Sequence, residues 1–150
     1  MKHYCFGLVI CRNEDGKWLA VKENDDKGWW LPGGTMEKNE TFEETAIRET
    51  KEEAGVDIEV KGVLKVEHTP CGSHYRMRVF FYAEPKDDSP PPKTEPDEES
   101  EEARWVTLDE LLELKETPPY WRGGELYKYA KYIEDGGEIY PIDLFGLEGE

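Results

Sequence analysis

The chain has 150 residues, a formal net charge of −16, 37% hydrophobic and 12% aromatic content, and three cysteines. That length suits one domain with one core and leaves no room for two. The acidic balance counts against a protein that grips DNA or RNA by neutralising phosphates, which needs clustered Lys and Arg. Cys5, Cys11 and Cys71 are too scattered for a disulfide framework or a CxxC metal site, and they fit a reducing compartment.

The first ten residues carry one early Lys2 and an apolar run too short for a signal peptide, and no run approaches the ~20 apolar residues of a membrane span. The expected setting is the cytoplasm, or the nucleus. Residues 3–11 alternate Tyr4, Phe6, Leu8 and Ile10 against Cys5, Gly7, Val9 and Cys11, a strand buried on one face or both. Asn13-Glu14-Asp15-Gly16 reads as a turn and residues 17–22 as a returning strand, so an opening hairpin is predicted. Trp29-Trp30-Leu31 reads as a short strand that stops at Pro32-Gly33-Gly34. A helix is predicted from about Phe42 to Ala54, with Thr41 and Glu44 as a capping box and Gly55 as its left-handed stop. Residues 57–67 and 74–83 read as strands joined by a loop at Pro70, Cys71 and Gly72.

The next stretch is acidic and holds Pro85, Pro90, Pro91, Pro92 and Pro96. It lacks the apolar surface that ordering requires, so a disordered insertion is predicted at about 85–98, within a single domain spanning 1–150. Order resumes at Arg104-Trp105-Val106, followed by helices at about 108–114 and 124–134. In the second of these, Leu126, Tyr129, Ala130 and Ile133 fall at i, i+3, i+4 and i+7, a core-facing stripe. The tail carries Ile139, Ile142, Leu144, Phe145 and Leu147, enough to dock on the body or on a partner.

On a wheel of ~100° per residue, Phe42, Ala46, Ile47, Thr50 and Ala54 define the inward arc of the first helix. Glu53 falls inside that arc, Glu49 at its margin and Glu52 further round. Three carboxylates thus converge on one side, and an unpaired buried carboxylate costs several kcal/mol. Arg48 is poorly aimed for Glu53 and is predicted to pair with Glu52 and Glu44 one turn away. A divalent cation would neutralise the rest, and hard oxygen ligands favour Mg²⁺ or Mn²⁺ over zinc. Gly33-Gly34 lets the backbone approach a ligand closely, so a cation beside this loop suits a diphosphate whose phosphorus is attacked by water.

Gly34, Glu40, Arg48-Glu49, Glu52-Glu53, Gly55 and Val56 follow the pattern G-x5-E-x7-R-E-U-x-E-E-x-G-U, where U is bulky and aliphatic. This resembles the box of the Nudix (MutT-like) hydrolases over its full 23 residues, with Thr50 as the one departure. The resemblance implies an α/β/α sandwich around a mixed β-sheet, and Mg²⁺-dependent hydrolysis of a nucleoside diphosphate derivative such as ADP-ribose or an oxidised nucleoside di- or triphosphate. It also implies that Glu49, Glu52 and Glu53 are the metal carboxylates, joined by the carbonyl of Gly33 or Gly34. By the same resemblance Arg48 orients one of those glutamates and Glu40 is a structural acid.

The general base is either a box residue such as Glu49 or a carboxylate from the later loop holding Glu99, Glu101 and Glu102, of which Glu99 is favoured. Gly33, Gly34 and Arg76 are candidates for substrate binding, with Tyr75, Trp105 or Trp121 stacking on a base. Two other readings stand beside this one. A diphosphoinositol or other polyphosphate hydrolase would need more cations than Lys17, Lys22, Lys27, Arg76 and Arg78. A catalytically silent binding domain would be signalled by a degraded box. Family analogy allows a monomer or a homodimer.

Overall fold

The computed structural model describes all of Met1–Glu150, and the alternation in β1 (Lys2–Cys11) sorts it into layers. Leu8 and Ile10 join Trp18, Trp29, Leu31, Phe80, Leu111 and Leu126 in one buried cluster. Val9 and Cys11 join Leu19, Val21, Ala46, Ala54, Val79 and Phe81 in the other. Between them runs a mixed sheet in the order β4-β1-β6-β5-β8, where β4 is Gly33–Thr35, β5 Ile58–Cys71, β6 His74–Pro85 and β8 Tyr140–Pro141. β1 is parallel to β6 and antiparallel to β4. Helix α1 (Phe42–Ala54) contributes to one cluster and α2 (Leu108–Glu116) and α3 (Glu125–Glu134) to the other, which makes the expected α/β/α sandwich.

The opening hairpin does not form as predicted. Backbone pairing between the two arms is limited to one bridge, from Arg12 just past β1 to Trp18 at the start of β2 (Trp18–Glu23). β2 pairs instead with β3 (Gly28–Trp30) and β7 (Glu102–Val106) in a second, antiparallel sheet. Trp18, Leu19, Ala20 and Val21 are all buried, so β2 has core on both faces and takes the centre of its own sheet.

Helix α1 starts and stops where predicted, with the Thr41–Glu44 capping box formed and Gly55 left-handed at φ 74°. It lies close on the sheet over Gly7, where a Cβ would stand 2.7 Å from the Phe42 carbonyl oxygen and 3.0 Å from the Ala46 nitrogen. Thr45, Ala46, Thr50 and Ala54 form its buried face, while Ile47, expected inside, is 39% exposed.

The segment read as disordered is instead a strap with irregular backbone and defined partners. Lys86 N donates to Asp57 O (2.8 Å), Lys93 N to Ala54 O (2.9 Å) and Ala103 N to Lys93 O (3.1 Å). Ser89 Oγ accepts from Asp57 N (2.9 Å), and the fully buried Ser100 donates its hydroxyl to Glu53 O (2.5 Å). Two of these acceptors, Glu53 O and Ala54 O, are carbonyls that the C-terminal turn of α1 leaves without helical partners. The prolines bring no N–H groups to satisfy, so the strap needs few partners of its own.

The tail docks on the body. Tyr140–Pro141 pairs with Gly62 and Val63 at the edge of β5, Ile142 packs against the core, and the Phe145 ring lies 5.9 Å from Phe42 and 5.7 Å from Phe81. No helix is long and apolar enough to cross a membrane.

Candidate active site

The second half of α1 and the short strand β4 bring the box residues together. Arg48 is the hub. It grips Glu40 through two bonds, Nε to Oε2 at 2.7 Å and Nη2 to Oε1 at 3.0 Å, and donates to the Thr35 carbonyl at 3.0 Å. Its Nη1 bridges Glu49 (3.0 Å) and Glu52 (3.1 Å). The predicted pair with Glu52 is present. The pair with Glu44 is not, because that carboxylate is turned back onto the Thr41 N–H in the capping box (2.9 Å). Glu40 also accepts from the Glu37 N–H (2.8 Å) and the Thr45 hydroxyl (3.0 Å), tying the loop to the helix. The Arg48 hydrogen bonds lower its carboxyl to a pKa of about 2.

Glu53 points inward, as its wheel position predicts, and accepts the Gly33 N–H at 2.7 Å. Burial raises its pKa to about 8 against the pull of that N–H, with the charges of Glu49, Glu23 and Glu99 adding to the rise. Burial raises Glu49 as well, opposed by Arg48. Gly34 stands against Glu49, where a Cβ would be 2.6 Å from Cδ, so only glycine lets this carboxylate lie along β4. On β2, Glu23 pairs through one oxygen with Arg122 (2.5 Å), while its Oε2 is buried without a hydrogen-bond partner.

Among the later acids, Glu101 is engaged by Lys22 (3.3 Å) and Glu102 by Arg104 (3.0 Å). Glu99 is exposed, has no cationic partner, and is close enough for its charge to act on both Glu49 and Glu53.

Beside Gly33-Gly34 opens a cleft of about 450 Å³, walled by Phe6, Trp30, Arg76, Arg78, Arg122 and Glu125. Trp30 donates its indole N–H to Glu125 (3.0 Å). Arg76 lines the cleft, its guanidinium carbon 4.7 Å from the Phe6 ring centre. Tyr75 and Trp105 do not. Tyr75 alternates to the other face of β6 and stacks on His68 at 4.8 Å. Trp105, opposite Leu19 on β7, packs against the α1-side core and lines a separate pocket of about 760 Å³ with Arg12, Glu84 and Lys86. Trp121 is spent on structure, donating to Leu111 O at 2.8 Å.

The family profile described as NUDIX domain matches residues 1–126. The chain belongs to the Nudix hydrolase family. It is 33% identical over 108 residues to a MutT-like protein of Streptomyces ambofaciens, covering 71% of this chain and 64% of that one. It is 35% identical over 114 residues to the human 8-oxo-dGDP phosphatase NUDT18, covering 73% of this chain and 34% of that one. A solved Nudix hydrolase from Nitrosomonas europaea superposes with a TM-score of 0.77 at 21% identity, covering 99% of this chain and all of that one. The chain thus spans under two thirds of the length of these two sequence relatives.

The Nudix box here has the donor chemistry for a divalent cation. Glu53 is crowded by like charge and held mostly uncompensated, and Glu23 keeps a buried oxygen with no partner. A hard cation held by the box carboxylates would offset the charge on Glu53. Glu49, Glu52 and Glu53 do not yet share one point: the first two turn to Arg48 and the third to Gly33. Glu23, Trp30 and Arg122 are site residues that sequence reading missed. Of these only Trp30 carried a signal, since adjacent Trp29 and Trp30 on one strand must face opposite ways.

Proposed function

We propose that this Nudix domain hydrolyses a phosphoric anhydride bond in a small nucleotide, with a purine nucleoside di- or triphosphate, including its oxidised forms, as the favoured substrate class. The observation that carries the reading is the buried, like-charge-crowded Glu53 beside Glu49 and the Gly33-Gly34 backbone, a site that becomes favourable once positive charge enters it. Glu49, Glu52, Glu53 and the Gly34 carbonyl would hold Mg²⁺, or Mn²⁺, and the bound ion would neutralise phosphate charge and lower the pKa of water. Arg48 keeps Glu49 and Glu52 on the site side of the helix. Glu99, free of any cation, accepts the proton of the attacking water. The products are a nucleotide one or two phosphates shorter and phosphate or pyrophosphate.

The cleft supports a purine. Trp30 and Phe6 give it aromatic surface, one face of each covered by Arg122 and Arg76, and Glu125 offers carboxylate oxygens to the N–H edge of a base. The activity named for the human relative agrees with this choice. Arg78 is already claimed by Glu67 (2.6 Å) and Glu125 (3.2 Å), which leaves too little cationic capacity for a diphosphoinositol. The test is a panel of 8-oxo-dGDP, 8-oxo-dGTP, their normal counterparts, ADP-ribose and an inositol pyrophosphate, each with Mg²⁺ and with EDTA. Turnover of the purine nucleotides in Mg²⁺ alone supports the proposal. A preference for the inositol compound refutes the substrate class, and no turnover at all refutes the hydrolase reading.

A further inference from the structure

Three guanidiniums line the cleft, and they are in different states. Arg78 is held on both sides by Glu67 and Glu125. Arg76 rests on Phe6 with no acceptor. Arg122 is the intermediate case: one N–H group, on Nη1, is bound to Glu23, its Cζ lies 4.7 Å from the centre of the Trp30 ring, and its other N–H groups have no acceptor in the protein. It lines the cleft together with Gly33 and Gly34 of the box loop.

Its backbone is fixed as well. Arg122 N donates to Trp29 O at 2.9 Å, and Trp29 N donates to Tyr120 O at 2.9 Å, so the segment between α2 and α3 is bonded along β3. A side chain tethered at its root, set over an aromatic ring and anchored at one nitrogen loses little freedom on binding.

We propose that Arg122 is a specificity-determining residue: its free N–H groups bind the phosphate chain of the substrate in the cleft beside Gly33-Gly34, with Glu23 as the positioning residue that holds the guanidinium on Trp30. The inference takes its substrate class from the hydrolase reading above. The binding itself needs no side chain of the box, because the planar fork matches phosphate oxygens directly.

The test is calorimetric binding of guanosine 5′-(α,β-methylene)diphosphate, which carries the phosphates but cannot be cleaved between them, with guanosine as the control without phosphate. Arg122→Gln should weaken analogue binding roughly 10–100-fold and leave guanosine unchanged. Arg122→Lys should fall between, keeping the charge and losing the fork. Because Arg122→Gln also strands the Glu23 carboxylate, the double variant Glu23→Gln, Arg122→Gln must be as weak as the single one. Recovery of affinity in the double variant would mean that Arg122 only neutralises Glu23, and would overturn the proposal. Unchanged analogue affinity in Arg122→Gln would overturn it too, whatever the turnover. If the wild type cleaves no substrate while analogue binding still depends on Arg122, the hydrolase reading fails and this inference stands.

Discussion

Replacing Glu53 with Gln should stabilise the metal-free protein, by an amount that depends on pH. The side chain keeps its shape and can still accept the Gly33 N–H, but it cannot ionise. In the wild type the carboxyl rises from its ordinary 4.5 to about 8 on folding. A carboxyl raised by folding holds its proton more tightly in the native state than in the unfolded chain, so stability falls as pH climbs from about 4.5 to about 8 and is level beyond. At 1.36 kcal/mol per unit, the full interval amounts to about 3–5 kcal/mol of native-state cost that the Gln variant does not carry. In EDTA, urea unfolding at pH 5 should therefore give similar midpoints for the two proteins, and at pH 8 the variant should unfold roughly 1–3 M later. Saturating Mg²⁺ should close the gap by stabilising only the wild type. A gap that is flat with pH, or a variant that is less stable at pH 8, would refute the claim that Glu53 is a buried charge awaiting a cation.

Three further outcomes follow from the same contacts. Arg48→Ala removes the partner of Glu40, Glu49 and Glu52 together and should cost ~2–4 kcal/mol in urea unfolding, with Arg48→Lys recovering only part because it cannot grip Glu40 through two bonds. Deleting residues 87–92 removes the strap's Ser89 bond to Asp57, and Ser100→Ala removes a buried bond to the last turn of α1. Each should destabilise by ~1–3 kcal/mol, and an unchanged melting temperature in both would return the segment to a solvated loop. Glu99→Gln should lower kcat by ~10²-fold or more in Mg²⁺ with KM changed little; a fall confined to KM would give the proton to another group.

What could be read from the sequence and what could not divides along the reach of the interactions. Helix α1 was legible to its caps, because Thr41, Glu44 and Gly55 act within a turn of their own positions. The box was legible because Glu49, Glu52 and Glu53 share one helix and need no knowledge of the fold to be neighbours. The partners of β2 were not, since Trp18 to Val21 look alike whether they face β1 or a second sheet. The strap was misread because composition counts apolar surface, whereas it is held by backbone and hydroxyl bonds to carbonyls at the end of α1. Tyr75 and Trp105 failed on parity, a one-residue matter that decides which face of a strand a ring takes. Glu23 and Arg122 lie 99 positions apart, and nothing in the chain marks them as a pair.

The central claim is tested most directly by following 8-oxo-dGDP over time with the wild type and with Glu53→Gln, in Mg²⁺ and in EDTA. The account predicts 8-oxo-dGMP and phosphate from the wild type in Mg²⁺, none in EDTA, and a rate at least ~10²-fold lower from the variant. Turnover that persists in EDTA, or a variant as fast as the wild type, would contradict it.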